Sequence, residues 1–275
     1  MLTDAHCHPF DLAKLDASPE EQRREGVLCA ASSWNREQFE YHEKICRDFP
    51  LVPCFAVHPQ LPASVACGRE KAALIEDGLE LLERLVSEKR PGAVGETGFD
   101  LYDAAMKETE KIQDGLFEEH LSAALRGDLP LVLHVRRAMH KVFFHASRLK
   151  KCRAVIFHSW PGTVGEGEAL LRRGINAYFS FGTAVLLNHR EAMRSCASFP
   201  SERLLAETDA PYQSPRGKSF SSWADLPGIL AAIAALRARA GKKEASPEII
   251  TEENFRRAFE GVFTLPHCGM NGRHE

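Results

Sequence analysis

Two histidines one residue apart, His6 and His8, stand at the end of the chain's first apolar run. In an extended strand, positions two apart face the same side, so both imidazoles can reach one ion. Further ligand-type residues also follow apolar runs: His58 in Val57-His58-Pro59, Glu96 in Gly95-Glu96-Thr97-Gly98, His134 in Leu133-His134-Val135-Arg136, His158 in Phe157-His158-Ser159, and Asp209 in Glu207-Thr208-Asp209-Ala210-Pro211. Such groups are costly to bury unless paired or bound to metal. A carboxylate has two oxygens, so Glu96 is suited to bridging two cations, and the flanking glycines allow close approach. His134 and His158 are then candidates to complete one site and Asp209 the other. Taken singly, each has an equally good bland reading, as a hydrogen-bonded core histidine, a carboxylate held by arginine, or a helix cap. The weight lies in their falling together.

Mixed imidazole and carboxylate ligands suit Zn²⁺, Mn²⁺ or similar ions more than Ca²⁺. Two divalent ions (Zn, Mg or Mn) about 4 Å apart would lower the pKa of a shared water and clamp the oxygens of a displacement at phosphorus. Asp209, touching that water, would orient it and take its proton. No rival nucleophile is visible: Ser159 and Ser180 lack a Gly-x-Ser-x-Gly context, and Cys7 is flanked by the expected ligands.

The elements that must position these residues alternate. Apolar runs at Met1–Ala5, Gly26–Ala31, Leu51–Val57, Gly92–Gly95, Leu129–Leu133, Ala154–Phe157, Ala177–Ser180 and Arg203–Ala206 read as eight strands. Between them lie helical patterns at Arg36–Asp48, Glu70–Glu88, Glu108–Arg126, Ala138–Leu149, Gly165–Arg173 and His189–Cys196. Trp223–Gly241 and Pro247–Gly261 follow, with Ser246 as N-cap of the second. Near-continuous apolar strands alternating with amphipathic helices predict an α/β fold of parallel strands, a single-domain (β/α)₈ TIM barrel over 1–265 with a C-terminal tail at 266–275. An open doubly wound sheet is the second choice, but no Gly-rich loop follows the first strand. A barrel places the chemistry at the C-terminal ends of its strands, where these histidines and carboxylates fall.

In this order, Asp4-Ala5-His6-Cys7-His8, Val57-His58-Pro59, Gly95-Glu96-Thr97-Gly98-Phe99-Asp100, His134-Val135-Arg136, Phe157-His158-Ser159 and Glu207-Thr208-Asp209-Ala210-Pro211-Tyr212 resemble the TatD family of metal-dependent hydrolases, with Glu253-Asn254-Phe255 similar to its late helix motif. The resemblance implies an amidohydrolase-type barrel and a metal-dependent deoxyribonuclease. It implies His6, His8 and Asp209 around one metal, His134 and His158 around the other, Glu96 shared, and His58 against the scissile phosphate. The chain departs from the family's pattern at Arg137, where Asp is usual, at Ser219–Trp223, and in Trp160-Pro161-Gly162 after His158. These departures bear on substrate preference.

DNA, as single strands or ends, is therefore the expected substrate. Arg136, Arg137, Arg216 and Lys218 are candidate phosphate contacts, or else solvated surface or partners of Asp100 and Asp103. Trp160 and Tyr212 are candidate stacking platforms or core. Two other readings stand beside the nuclease: hydrolysis of a small-molecule amide, ester or lactone, and a catalytically silent binding module.

Composition limits the rest. The 275 residues are 44% hydrophobic and 27% charged with a net charge of −3, which speaks against a protein that coats nucleic acid. Two divalent cations would reverse that sign locally. The N-terminus lacks a signal-peptide pattern, and the longest apolar segment, Gly228–Leu236, is far short of the roughly 20 residues a membrane span requires. Eight scattered cysteines without a Cys-x-x-Cys pair fit a reduced, cytoplasmic chain. No membrane association and no obligatory protein partner is expected.

Overall fold

The eight apolar runs become eight parallel strands in simple sequential order: β1 Leu2–Cys7, β2 Val27–Ser33, β3 Leu51–Phe55, β4 Ala93–Asp100, β5 Leu131–Arg136, β6 Val155–Phe157, β7 Ala177–Phe181 and β8 Leu204–Ala206. The computed structural model describes residues 1–15, 26–64 and 68–261, so the expected tail at 266–275 lies outside the described residues. Each strand pairs with the next, from β1–β2 through β7–β8. The seam between β8 and β1 is joined just beyond β8: Asp209 N–H donates to the His6 carbonyl (3.0 Å) and His8 N–H to the Ala210 carbonyl (2.7 Å). Within the seam the buried Asp4 carboxylate accepts from Thr208 N–H (3.0 Å) and Thr208 Oγ1 (2.6 Å). The fold is a (β/α)₈ barrel.

Strand alternation divides the core in two. Leu28, Ala30, Val52, Cys54, Val132, Ile156 and Tyr178 cluster inside the barrel, together with Phe255 and Phe259. Their strand neighbours Phe55, Leu131, Leu133, Val155, Phe157 and Phe179 pack outward against the helices. This period of two carries the site: His134 continues the inward series from Val132, and His158 that from Ile156. The helix Pro247–Ala258 closes the barrel beside β8, where Asn254 Nδ2 donates to the carbonyls of Ser201 (2.7 Å) and Leu204 (2.8 Å). Ser246 occupies the N-cap position as expected, without a side-chain hydrogen bond.

Two expectations change. The run expected to end at Gly95 continues as strand to Asp100, because Gly95 and Gly98 serve close strand packing rather than a turn. A Cβ on Gly95 would lie 2.5 Å from Val132 Cβ, and one on Gly98 would overlap the His134 carbonyl. The helix expected over Ala138–Leu149 is two short ones, Met139–Phe144 and Ala146–Leu149.

Candidate active site

Glu96 is the hub. It lies at an irregularity of β4, where one extra residue enters the pairing with β5 between Val94 and Thr97. His6 lies at a similar register shift in β1, between Asp4 and Cys7. Such bulges re-aim side chains, here toward the barrel axis at the mouth. The two Glu96 oxygens face different groups. Oε2 is 3.0 Å from His6 Nε2 and 3.8 Å from His8 Nε2. Oε1 is 2.7 Å from His134 Nδ1, 3.2 Å from His58 Nε2 and 3.6 Å from His158 Nε2. Asp209 Oδ1 lies 3.4 Å from His8 Nε2 and 3.5 Å from His6 Nε2.

Among the described residues, three groupings can each offer three converging ligand atoms: His6, His8 and Asp209; His6, Glu96 and His158; and His58, Glu96 and His134. The first is the set expected for one ion. For the other, His134 and His158 both reach Glu96 but do not share one three-atom cluster, and His58 stands among the ligand-type atoms. His6 Nε2 is fully buried and has no hydrogen-bond partner, although the Glu96 carboxylate is 3.0 Å away. A buried nitrogen lone pair facing a carboxylate oxygen is unfavourable unless a cation sits between them. The residues present therefore fit a metal centre.

A second layer orients these groups. Asp100, fully buried, takes His134 Nε2 at 3.1 Å and Gln60 Nε2 at 2.6 Å. The fully buried Glu207 approaches His158 Nδ1 at 3.1 Å without hydrogen-bond alignment, which leaves its oxygens unsatisfied. Ser32 Oγ is 3.4 Å from His6 Nδ1. Carboxylates behind ligating imidazoles fix ring orientation and raise basicity. Gln213 Nε2 donates to Asp209 Oδ2 (2.8 Å) and to Ser159 Oγ (3.0 Å), tying the segments after β6 and β8 together. Asp209 and Ser159 both have left-handed backbones, φ 55° and 45°, which non-glycine residues rarely adopt outside constrained sites.

The electrostatics follow from crowding in a buried place. Burial pushes the Glu96 and Asp209 carboxyls up, but the surrounding histidines outweigh it and hold both below the ordinary range. Burial lowers His6 and His58. For His8, burial is overcome by Asp209 and Glu96, and for His158 by Glu207, Asp209 and Glu96, so both are held above the ordinary imidazole value. The site keeps two ionised carboxylates that call for positive charge.

Above the hub opens a cleft of about 760 Å³, lined by His8, His58, His134, His158, Asp209, Arg136, Trp34 and Tyr212 among others. Arg136 thus lines the mouth, whereas Arg216 is exposed and lies outside that lining. Lys218 is paired with Asp225. Among the described residues neither Asp100 nor Asp103 serves as the partner of an arginine: Asp103 instead accepts from Met106 N–H (2.9 Å) at a helix start. Trp160 is not a stacking platform. It is 4% exposed, packed on Phe157, Phe179 and Phe199, with Nε1–H donating to Ser195 Oγ (3.1 Å). Tyr212 is 51% exposed and meets His8 edge-on. Trp34, Gln60 and Gln213 escaped sequence reasoning. Trp34 directly follows β2, the same post-strand signal that marked the histidines, but its residue type carries no ligand chemistry.

A sequence model of TatD related DNases matches residues 3–260. The uncharacterised metal-dependent hydrolase BU355 of Buchnera aphidicola is 34% identical over 241 residues, covering 79% of this chain and 84% of that protein. The uncharacterised metal-dependent hydrolase YcfH of Escherichia coli K12 is 31% identical over 273 residues, 94% of this chain and 95% of that one. The crystal structure of YjjV, a TatD homologue from Escherichia coli K12, superposes with a TM-score of 0.78 at 23% identity, covering 94% of this chain and 97% of that one.

Proposed function

The chain belongs to the TatD family of metal-dependent hydrolases, and from that premise we propose that it is a deoxyribonuclease, cleaving DNA phosphodiester bonds at the barrel mouth with water as nucleophile. The observation that carries this reading is Glu96, whose two oxygens each face a separate group of imidazoles. In this reading His6, His8 and Asp209 hold one divalent cation, His134 and His158 hold another, and Glu96 is shared between them. Zn²⁺, Mn²⁺ and Mg²⁺ are the ions to test. When bound, such ions activate water and offset the charge that gathers at phosphorus.

The chain's own residues supply the rest. Asp209 takes the proton of the attacking water, its carboxylate oriented by Gln213 through Oδ2. His58, with 21% of its side chain exposed, faces the scissile phosphate from the cleft wall. Arg136 on the rim contacts a phosphate directly, and the exposed Arg216 adds longer-range attraction for the strand. Trp34 and Tyr212 offer ring faces to bases. Glu96 is only 5% exposed, below the rim, so a single strand or a strand end reaches it more readily than a paired duplex. Among the described residues no helix is long and apolar enough to cross a membrane, and six cysteines are buried thiols, which supports placing the chain in a reducing cytoplasm.

The test is hydrolysis of single-stranded DNA, duplex DNA, RNA, a generic phosphodiester and a panel of esters and lactones, with chelator-stripped and metal-reloaded protein. DNA cleavage that vanishes with chelator and returns with a divalent ion is the expected result. Turnover confined to carbonyl substrates would overturn the reading, and a metal-loaded protein inert on every substrate would make it a binding module.

A further inference from the structure

Beyond His134, the end of β5 carries two consecutive arginines on one aromatic ring, and the first of them lines the cleft. The guanidinium carbons of Arg136 and Arg137 lie 3.6 and 4.5 Å from the ring centroid of Tyr102. Arg137 also donates through Nη1 to the Tyr102 carbonyl (2.9 Å). Tyr102 is itself fixed to the site, since its N–H donates to Asp100 Oδ1 (2.9 Å), while the other oxygen of Asp100 holds His134. Leu101 N–H in turn bonds the Arg136 carbonyl (2.9 Å). The platform is therefore keyed to the strand ends that bear Glu96 and His134.

The pair also lacks an acid. Among the described residues, neither guanidinium has a carboxylate within 4.0 Å: Asp100, on the neighbouring strand end, is taken by His134 and Gln60. On the helices that follow β5, by contrast, Lys141 is neutralised by Glu110 and Asp114, and Arg148 by Glu118. Arg137 further holds a left-handed backbone, φ 55°, an unfavourable state for a long side chain. Two cations held side by side, exposed and unneutralised, favour an anion between or above them. Planar guanidinium forks match phosphate oxygens better than any other side chain does.

We propose that Arg137, together with Arg136 on the Tyr102 ring, forms a second phosphate-binding site, one that holds a phosphate of the bound strand adjacent to the scissile one. The inference rests on the deoxyribonuclease reading. Residues two apart on a strand are separated by about 7 Å, so Arg136 and Arg137 stand beyond His134 rather than over the Glu96 carboxylate. The site therefore serves a polymeric substrate, because a substrate with a single phosphodiester has nothing to place there.

The experiment is fluorescence anisotropy of a labelled single-stranded oligonucleotide with the full chain in chelator, repeated across a salt series, alongside DNA cleavage by the metal-loaded wild type. Arg137→Ala is expected to weaken binding about tenfold and to lower the slope of log affinity against log salt by about 0.7, the loss of one single-strand phosphate contact. Arg137→Glu should weaken it further, whereas Arg137→Lys should keep the slope and lose affinity. Tyr102→Leu should weaken binding with the slope largely kept. Arg172→Ala, at an exposed arginine paired with Glu168, serves as the control. Circular dichroism melts establish that each variant is folded. If wild type cleaves DNA but Arg137→Ala and Arg137→Glu bind with unchanged affinity and slope, the second phosphate site is refuted and the nuclease reading stands. If wild type shows no salt-dependent oligonucleotide binding and no cleavage, both fall.

Discussion

Replacing Gly95 by alanine adds one methyl group beside the hub of the site, and the structure fixes what that methyl meets. Its carbon would lie 2.5 Å from Val132 Cβ, 2.9 Å from the Val132 carbonyl oxygen and 3.1 Å from Val132 Cα. Non-bonded carbons rest at about 3.5–4.0 Å, so β4 and β5 must part locally by roughly 1 Å. None of the three atoms belongs to a flexible side-chain end, and both strands are flanked by further strands, so relief is incomplete. Overpacking of this kind costs about 1–3 kcal/mol. In a domain of this size, that lowers the melting temperature by roughly 2–12 °C. The displacement also carries Glu96, the next residue, away from His6 and His134, and a misplacement of about 1 Å can cost 10²-fold in rate. Gly115→Ala is the matched control. Gly115 lies within the helix Glu110–Gly127 with nothing within 4 Å of its would-be Cβ, so alanine there is expected to stabilise by roughly 0.5–1 kcal/mol. Calorimetric melting and metal-reconstituted hydrolysis of each variant provide the assay. A Gly95→Ala protein that melts within a degree of wild type and turns over at an equal rate would refute the claim that this glycine positions Glu96.

Asp209→Asn is expected to lower kcat by about 10²- to 10⁴-fold with an unchanged circular dichroism spectrum, and activity within threefold of wild type would remove it as the proton acceptor. Trp160→Ala should destabilise the fold by about 3–5 kcal/mol in urea titrations, whereas Tyr212→Ala, at an exposed position, should leave stability within about 0.5 kcal/mol and raise KM for DNA. Stability should also fall in acid through two buried histidines outside the ligand set. Burial depresses His42 to about 3 and His120 to about 4, while each titrates near 6.5 when unfolded. The folded state therefore binds fewer protons, so stability is complete above pH 6.5 and is lost as pH falls toward 4. His120 alone contributes roughly 3 kcal/mol of that loss, at about 1.4 kcal/mol per pH unit. His120→Gln should flatten the slope of unfolding free energy between pH 6.5 and 4.5, and an unchanged slope would show that His120 does not stay neutral in the folded chain.

The barrel was legible because its strands are short, apolar and separated by amphipathic helices, a pattern with few alternatives at this length. The ligand-type residues were legible from their joint placement: singly each has a bland use, but together they follow apolar strands at one end of the barrel. What escaped depends on side chains meeting across the sheet. Gly95 and Gly98 were read as points of close approach, but that Val132 and His134 of β5 are what approaches them needed the register of the sheet. Asp100 looks like a surface acid until His134 and Gln60 converge on it. Trp160 follows a ligand histidine, yet its ring turns outward into the aromatic cluster of Phe157, Phe179 and Phe199. Two helical histidines are structural: His42 accepts from Phe10 N–H (3.2 Å) and His120 from Val57 N–H (2.9 Å).

The seam that joins β8 to β1 has a consequence for the order of events in biosynthesis. The same segments that zip the barrel shut, Asp4–His8 and Thr208–Ala210, deliver His6, His8 and Asp209. Those partners are separated by about two hundred residues of chain, so a nascent polypeptide that has emerged only through its seventh strand still lacks Asp209, the last of the proposed ligands and the proposed proton acceptor. Assembly of the His6, His8 and Asp209 cluster and topological closure then arrive in one step, after some three-quarters of the chain has left the ribosome. On the proposed reading, a chain assembled this way stays inert until that step, and the appearance of its activity reports the docking of the last strand against the first.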